Sequence, residues 1–294
     1  MRSRWIVALV AACGDDGNTQ VDAPPIDSEP QMDAPLPCNV DAPFGAPTTI
    51  MGLTGTGVSA TYGGHLSADR LRMYVTRGMP GTATQAMFVA TRPTADGFFT
   101  VAPLSIMNPG NMPMAWPMLS EDELTIYFQT TSTIMTATRA ALTDTFPTAV
   151  ALADLGAGGA GMTPRLSRDG LSLHFGRIVS GNAGLFVATR AATTDAFGAG
   201  TMIAELASDG YEEGPVVSDD GLEMLFMRVP NGSAGAVYRA TRTSASGAFG
   251  TPVAVAELGT GNLSPSWISP DRCQLLFSRL DGASPQIFLA TRPQ

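Results

Sequence analysis

The chain has 294 residues, and its 26 acidic and 17 basic residues give a net charge of −9. That balance excludes the basic footprint of a nucleic-acid binder. Gly, Pro, Thr and Ser recur at roughly 8- to 12-residue intervals, which excludes a helical protein in favour of an all-β array. All 17 basic residues are arginine, which reads as coding bias.

The first thirteen residues, MRSRWIVALVAAC, carry Arg2 and Arg4, then apolar residues from Trp5 to Ala12, then Cys13. A run this short cannot span a bilayer. A charged start, a short apolar run and small residues before a cut site form a secretory signal. Val10 to Gly14 resembles the bacterial lipobox, and the resemblance implies that the Cys13 thiol is acylated and anchors the chain in the cell envelope, on the periplasmic or outer-membrane side. Residues 14–43 repeat Asp-Ala-Pro at Asp22, Asp33 and Asp41 and hold few large apolar residues, so they read as an extended acidic linker without a core.

From residue 44 onward the chain repeats itself five times. Ser-x-Asp falls at Ser67/Asp69, Ser120/Asp122, Ser167/Asp169, Ser218/Asp220 and Ser269/Asp271, with successive serines 53, 47, 51 and 51 residues apart. Ala-Thr-Arg ends at Arg92, Arg139, Arg190, Arg242 and Arg292. A period of about 50 residues built of short strands is the mark of a β-propeller. Each repeat reads as four strands, A to D, with A innermost and B carrying an apolar residue at every second position after the aspartate, as in Leu171, Leu173 and Phe175. Strand D is read as starting at a phenylalanine: Phe98, Phe146, Phe197 or Phe249. The fifth repeat stops at Gln294 before any such residue, so residues 44–53, which begin Phe44-Gly45-Ala46-Pro47, are expected to supply its outer strand and close the ring. The expectation is a five-bladed β-propeller of four-stranded blades spanning 44–294.

The stretches Pro164 to Phe175 and Pro215 to Phe226, Pro-x-apolar-Ser-x-Asp-Gly followed by alternating apolar residues, resemble the TolB-type, WD-like propeller repeat of bacterial envelope proteins. Arg70, Glu123 and Arg272 replace the turn glycine in three copies, and TolB has six blades where five are counted here. The resemblance therefore implies the architecture and not a function.

Five aspartates and five arginines in fixed register are expected to pair within each blade: Asp69 with Arg92, Asp122 with Arg139, Asp169 with Arg190, Asp220 with Arg242, and Asp271 with Arg292. Partly exposed pairs of this kind contribute about 0 to 1 kcal/mol each, so their role is to fix turns. Two separated histidines, His65 and His174, give no metal cluster, and no Gly-x-Ser-x-Gly elbow is present. No cofactor is expected. Cys38 and Cys273 remain as an even pair in an oxidising compartment; a disulfide and a buried free thiol at Cys273 are both open.

The A–B and C–D turns are uniform, whereas the connections on the opposite face vary and carry Tyr62, Trp116, Arg165, Tyr211, Glu212 and Glu213 near the channel mouth. Binding usually sits in variable loops on a rigid scaffold. The leading expectation is a non-catalytic, lipid-anchored propeller that binds an envelope protein or glycan, touching the membrane through its anchor alone. Its alternatives are a propeller glycoside hydrolase, which needs two carboxyl groups converging on the channel, and a carbohydrate-binding lectin with one pocket per blade. Glu212 and Glu213 come from a single blade, and Tyr62, Trp116, Met162, Tyr211 and Leu263 do not match one another as lectin pockets would.

Overall fold

A computed structural model describes residues 38–53, 60–78, 85–108, 112–131, 133–152, 155, 161–179, 181–280 and 285–294. The signal segment, Cys13 and the linker through Pro37 lie outside the described residues.

Twenty strands form five antiparallel sheets of four. Blade 1 holds β2 (Ala60–Leu66), β3 (Arg72–Gly78), β4 (Gln85–Thr91) and β5 (Thr100–Pro103). Blade 2 holds β6 (Ala115–Leu119), β7 (Thr125–Gln129), β8 (Ile134–Thr138) and β9 (Val150–Ala151). Blade 3 holds β10 (Gly161–Leu166), β11 (Ser172–Val179), β12 (Asn182–Thr189) and β13 (Thr201–Met202). Blade 4 holds β14 (Tyr211–Val217), β15 (Glu223–Val229), β16 (Ala236–Thr241) and β17 (Val253–Ala254). Blade 5 joins β18 (Leu263–Ile268), β19 (Gln274–Arg279) and β20 (Gln286–Thr291) to β1 (Thr48–Thr49), in the order β1-β20-β19-β18. The N-terminal strand thus closes the ring as the last blade's outer strand, and the fold is a five-bladed β-propeller.

The apolar residues of each sheet are buried against the next blade rather than within one. Tyr74 and Met87 of blade 1 pack with Leu119, Ile126 and Phe128 of blade 2, and Leu185 of blade 3 packs with Met224 and Phe226 of blade 4. Leu225 and Val237 of blade 4 pack with Leu275 and Phe277 of blade 5. Each seam is a core of its own, which is why period-two patterning holds through all five copies.

Every A–B turn is built alike. The Asp69 carboxylate accepts hydrogen bonds from Ser67 Oγ at 2.6 Å and from the Leu71 N–H at 2.9 Å, while Ser67 Oγ accepts from the Arg72 N–H. The same serine-to-aspartate bond recurs at Ser120, Ser167, Ser218 and Ser269. These bonds, the serine's foremost, hold Asp69, Asp122 and Asp169 below the usual carboxylate range. The fourth turn residue has a left-handed backbone in all five blades, at φ between 58° and 72° for Arg70, Glu123, Gly170, Gly221 and Arg272. A side chain there costs about 1 to 2 kcal/mol. In each of the three non-glycine cases it reaches a long polar residue at the start of the preceding blade's second strand: Arg70 to Gln274, Glu123 to Arg72, and Arg272 toward Glu223. In the two glycine cases the preceding blade's second strand starts with the short Thr125 or Ser172.

The predicted aspartate–arginine pairs do not form. Arg92, Arg139, Arg190 and Arg242 donate through Nε, and Arg292 through a terminal nitrogen, to the backbone carbonyls of Arg70, Glu123, Gly170, Gly221 and Arg272. Each guanidinium also lies over a phenylalanine ring, 4.2 to 4.4 Å from the centroid of Phe99, Phe146, Phe197, Phe249 or Phe44. Asp69, Asp122, Asp169, Asp220 and Asp271 each commit Oδ1 to their own turn, and Asp69 and Asp220 turn Oδ2 to Arg72 and Arg272 instead. In blade 1 the stacking ring is Phe99, 5% exposed, and not Phe98, which is 68% exposed.

Residues 38–43, read above as the end of the linker, lie against blade 5. Asn39 N–H donates to Pro293 O, and Cys38 is disulfide-bonded to Cys273.

Candidate functional site

The five inner strands each carry a bulge halfway along, between Tyr62 and His65, Ala115 and Met118, Met162 and Arg165, Glu213 and Val216, and Pro265 and Trp267. Four residues that follow the last regular pair, Gly63, Trp116, Thr163 and Gly214, are left-handed, with φ from 45° to 67°. Such a conformation is unusual for tryptophan and threonine, and the neighbouring blade holds it in place. Gly63 N–H donates to Ser278 Oγ, Trp116 N–H to Thr76 Oγ1, Thr163 N–H to Gln129 Oε1 and Gly214 N–H to Thr163 Oγ1, at 2.8 to 3.0 Å. The equivalent residue of blade 5 is Pro265, which has no N–H, and the side chain in the acceptor's position is Met227, which has no oxygen.

The bulges turn a polar cluster toward the axis. Arg165, 4% exposed, sits among the inner strands: its guanidinium donates to Pro164 O at 2.7 Å and to Pro265 O at 3.4 Å, and stands 5.7 Å from the Trp116 ring. Tyr62 packs on Trp116 with centroids 5.2 Å apart. Tyr211 donates its hydroxyl to Glu213 Oε2 at 2.7 Å. Glu213 is half-buried, and burial raises its carboxyl above the usual range despite the Tyr211 hydrogen bond and the Arg165 charge. Burial lowers Arg165 to about 9. Burial, then the Arg165 charge, lowers His65 to about 3, so His65 is neutral.

Of the residues expected at the channel mouth, Tyr62, Trp116, Arg165, Tyr211 and Glu213 are therefore brought together at the axis. Glu212 is not. It points the other way along the strand, is 1% exposed, and is held by Arg228 at 2.9 Å and by the Ser208 hydroxyl. Adjacent residues of one strand face opposite sides, so the sequence neighbours could not have shared a site. His174 lies in strand packing at 7% exposed.

A second feature was not foreseen. On the face of the uniform A–B turns the axis opens as a cavity of about 320 Å³, lined by residues of all five blades. His65 and Arg165 line it, and at its rim Arg168 bridges Glu121 at 2.9 Å and Asp219 at 2.8 Å. Uniform turns carry no sequence signal of a pocket, because the cavity arises only when five of them meet around an axis. Among the described residues no group of His, Cys, Asp and Glu is arranged to hold a metal ion.

No protein-family model and no curated protein matches the sequence. Solved structures do resemble the fold. An α-L-arabinofuranosidase from Podospora anserina, crystallised with cellotriose, superposes with a TM-score of 0.55 at 11% identity, over 88% of this chain and 99% of that one. The catalytic domain of a GH62 α-L-arabinofuranosidase from Coprinopsis cinerea gives 0.56 at 14% identity, over 87% and 98%. An endo-arabinase from Bacteroides thetaiotaomicron gives 0.54 at 12% identity, over 84% and 97%. TolB from Acinetobacter baumannii gives 0.49 at 14% identity, over 80% and 55%, too loose an overlay to carry an argument. At these identities the likeness is one of fold. Glycoside hydrolases predominate among these structures, which corrects the expectation of a non-catalytic interaction scaffold without assigning an activity to this chain.

Proposed function

We propose that the protein is a carbohydrate-acting propeller whose axial cluster engages a glycoside, with Glu213 as the proton donor to the leaving oxygen. The observation that carries this reading is a half-buried carboxyl with a raised pKa, hydrogen-bonded to Tyr211 within the axial cluster. A general acid must hold its proton near neutral pH, and burial supplies that. Tyr62, Trp116 and Arg165, at 7%, 7% and 4% exposed, form the packed backing of the cluster, and Tyr211 and Glu213 are its more open members. The likeness to arabinofuranosidases suggests α-L-arabinofuranosides as the first substrates to try.

Glycoside hydrolysis ordinarily needs a second carboxylate, about 5 to 10 Å from the first. Glu213 is the one carboxylate of the axial cluster as described, since Glu212 is turned away. This favours a second reading, carbohydrate binding at the same cluster without cleavage. We place the protein, by its lipobox-like start, on a lipid anchor at Cys13 in the cell envelope; loss of membrane retention in Cys13→Ala tests that.

The deciding experiment is release of arabinose from arabino-oligosaccharides, whose sugar leaving groups need protonation, alongside calorimetric binding of the same sugars, for the native chain and Glu213→Gln. Hydrolysis requires turnover that Glu213→Gln lowers at least about 100-fold, as loss of a general acid does. Because the acid must be protonated, kcat/KM falls as pH rises through the raised Glu213 pKa. Binding without release, abolished by Trp116→Ala, supports the second reading. Neither binding nor release overturns both.

A further inference from the structure

We infer that the seams between blades 2 and 3 and between blades 3 and 4 are paired binding clefts for a neutral glycan chain, separate from the axial cluster. Each seam brings together the first and third residues of one blade's second strand and the turn residue of the next blade. Three seams are closed by their own side chains. Between blades 1 and 2, Glu123 accepts from Arg72 at 2.7 Å and from the Tyr74 hydroxyl at 2.6 Å. Between blades 4 and 5, Arg272 and Arg292 meet Glu223, and between blades 5 and 1, Arg70 bonds to Gln274. The other two seams stay open. Gly170 and Gly221 supply no side chain, the strands before them start with Thr125 and Ser172, and clefts of about 800 and 900 Å³ remain, at the upper end of ligand pockets.

The third strand residue shows what the open clefts lack. Leu225 and Leu276 need no polar partner, and Tyr74 has Glu123. In the open seams the same position holds Tyr127, 3% exposed, and His174, 7% exposed, and each lines its cleft. Among the described residues Tyr127 has no carboxylate acceptor and His174 no hydrogen-bond partner. Burial, then the Arg242 charge, lowers His174 to about 4, so its ring is neutral and can both donate and accept. Arg190 and Arg242 commit Nε and Nη1 to backbone carbonyls. Their Nη2 atoms lie 3.5 and 3.3 Å from the points where side chains on Gly170 and Gly221 would begin.

The walls decide the class of ligand. An anion would meet Asp169, which lines both clefts, and a cation would meet Arg190 or Arg242. A neutral polyol avoids either repulsion, because its hydroxyls donate to carboxylates and accept from guanidinium groups. Both clefts border the turn of residues 167–170 and share Arg168 and Asp169 in their walls, so neighbouring units of one glycan chain can fill the pair. This inference does not depend on Glu213 acting on sugars.

NMR of the ring signals of His174 and Tyr127 tests it cleft by cleft, in the chain isotope-labelled at histidine and tyrosine. Arabinotetraose, xylotetraose, cellotetraose and mannotetraose are the probes, with tetragalacturonate as the charged control. At least one neutral tetrasaccharide is expected to move both rings saturably, and tetragalacturonate to move neither. Ser172→Arg with Gly221→Glu rebuilds in the second cleft the arrangement of Arg72 and Glu123, and should silence His174 while Tyr127 still responds. Because that double variant can lose its fold, Ser172→Arg alone, which carries no left-handed backbone cost, serves as the second. It should weaken the His174 response at least about tenfold, or about 1.4 kcal/mol. No response to any neutral tetrasaccharide, an equal response to tetragalacturonate, movement of His65 in place of His174, or a full His174 response in a folded Ser172→Arg chain would each overturn the proposal. Glu213→Gln should respond as the native chain does, which separates failure here from failure of the hydrolase reading.

Discussion

Opening the Cys38–Cys273 bond should cost as much stability as a large core truncation, because of the length of chain it closes. The two cysteines are 235 residues apart in sequence. The chain-entropy relation, which grows with the logarithm of loop length, gives about 5.5 kcal/mol for such a loop, and native bonds typically return 2 to 5 kcal/mol. Folding brings these ends together anyway, through β1 pairing with β20 and the Arg292 guanidinium stacked 4.2 Å from the Phe44 ring. Those local contacts cannot restrict the unfolded chain; the covalent bond does. Cys38→Ser is the appropriate perturbation because Cys38 is only partly buried, whereas Cys273 is 9% exposed and its replacement would add a packing loss. At about 2 to 4 °C per kcal/mol for a chain of this size, a loss of about 3 to 5 kcal/mol lowers Tm by roughly 6 to 20 °C. Scanning calorimetry of the native chain, the native chain in reductant and Cys38→Ser should give one large drop common to the last two. A drop below about 3 °C in both would refute the reasoning and assign closure to β1 and Phe44 alone.

Arg190→Lys should lose about 1 to 2 kcal/mol in urea unfolding, since lysine cannot both stack on Phe197 and donate to Gly170 O. A double-mutant cycle with Asp169→Asn should show coupling under about 0.5 kcal/mol; a larger value would restore the aspartate–arginine pair. Gly170→Ala should cost about 1 to 2 kcal/mol, because φ is +72° and the new Cβ would lie 3.1 Å from Thr193 Cγ2. Arg272→Gly should stay within about 1 kcal/mol of native, as relief of the same backbone cost offsets a partly exposed contact to Asp220. Equal losses for these two substitutions would show that the turn residue is not chosen by the neighbouring blade.

The ring, the strand pattern and the N-terminal closing strand were legible because each repeats five times with the same spacing, and repetition averages away local exceptions. The arginine partners were not. Ala-Thr-Arg and Ser-x-Asp announce opposite charges, but the carboxylate is satisfied two residues away by its own serine before the arginine arrives. Phe99 lies seven residues after Arg92, as Phe146, Phe197 and Phe249 lie seven after Arg139, Arg190 and Arg242, so the spacing itself marks the ring that stacks, and reading Phe98 instead is one residue off register. The axial site was half legible: Tyr62, Trp116, Arg165, Tyr211 and Glu213 stand out as rare side chains on inner strands, while Glu212, adjacent to Glu213, belongs to a different environment. His65 could be placed by alignment with Arg165, yet nothing in the sequence says that the two line one cavity.

Pro265 opposite Met227 breaks the circle of axial hydrogen bonds at one seam. Donor and acceptor are missing there together, so neither is left orphaned. A chain grown by duplication begins with interchangeable units, and paired loss of this kind makes the order irreversible. Blade 5 moved into the second slot would leave the Thr76 hydroxyl facing a proline, and blade 2 moved into the fifth would aim the Trp116 N–H at a methionine. Shuffling whole repeats should thus fail where circular permutation at an exposed loop succeeds, because permutation preserves every neighbour and shuffling does not.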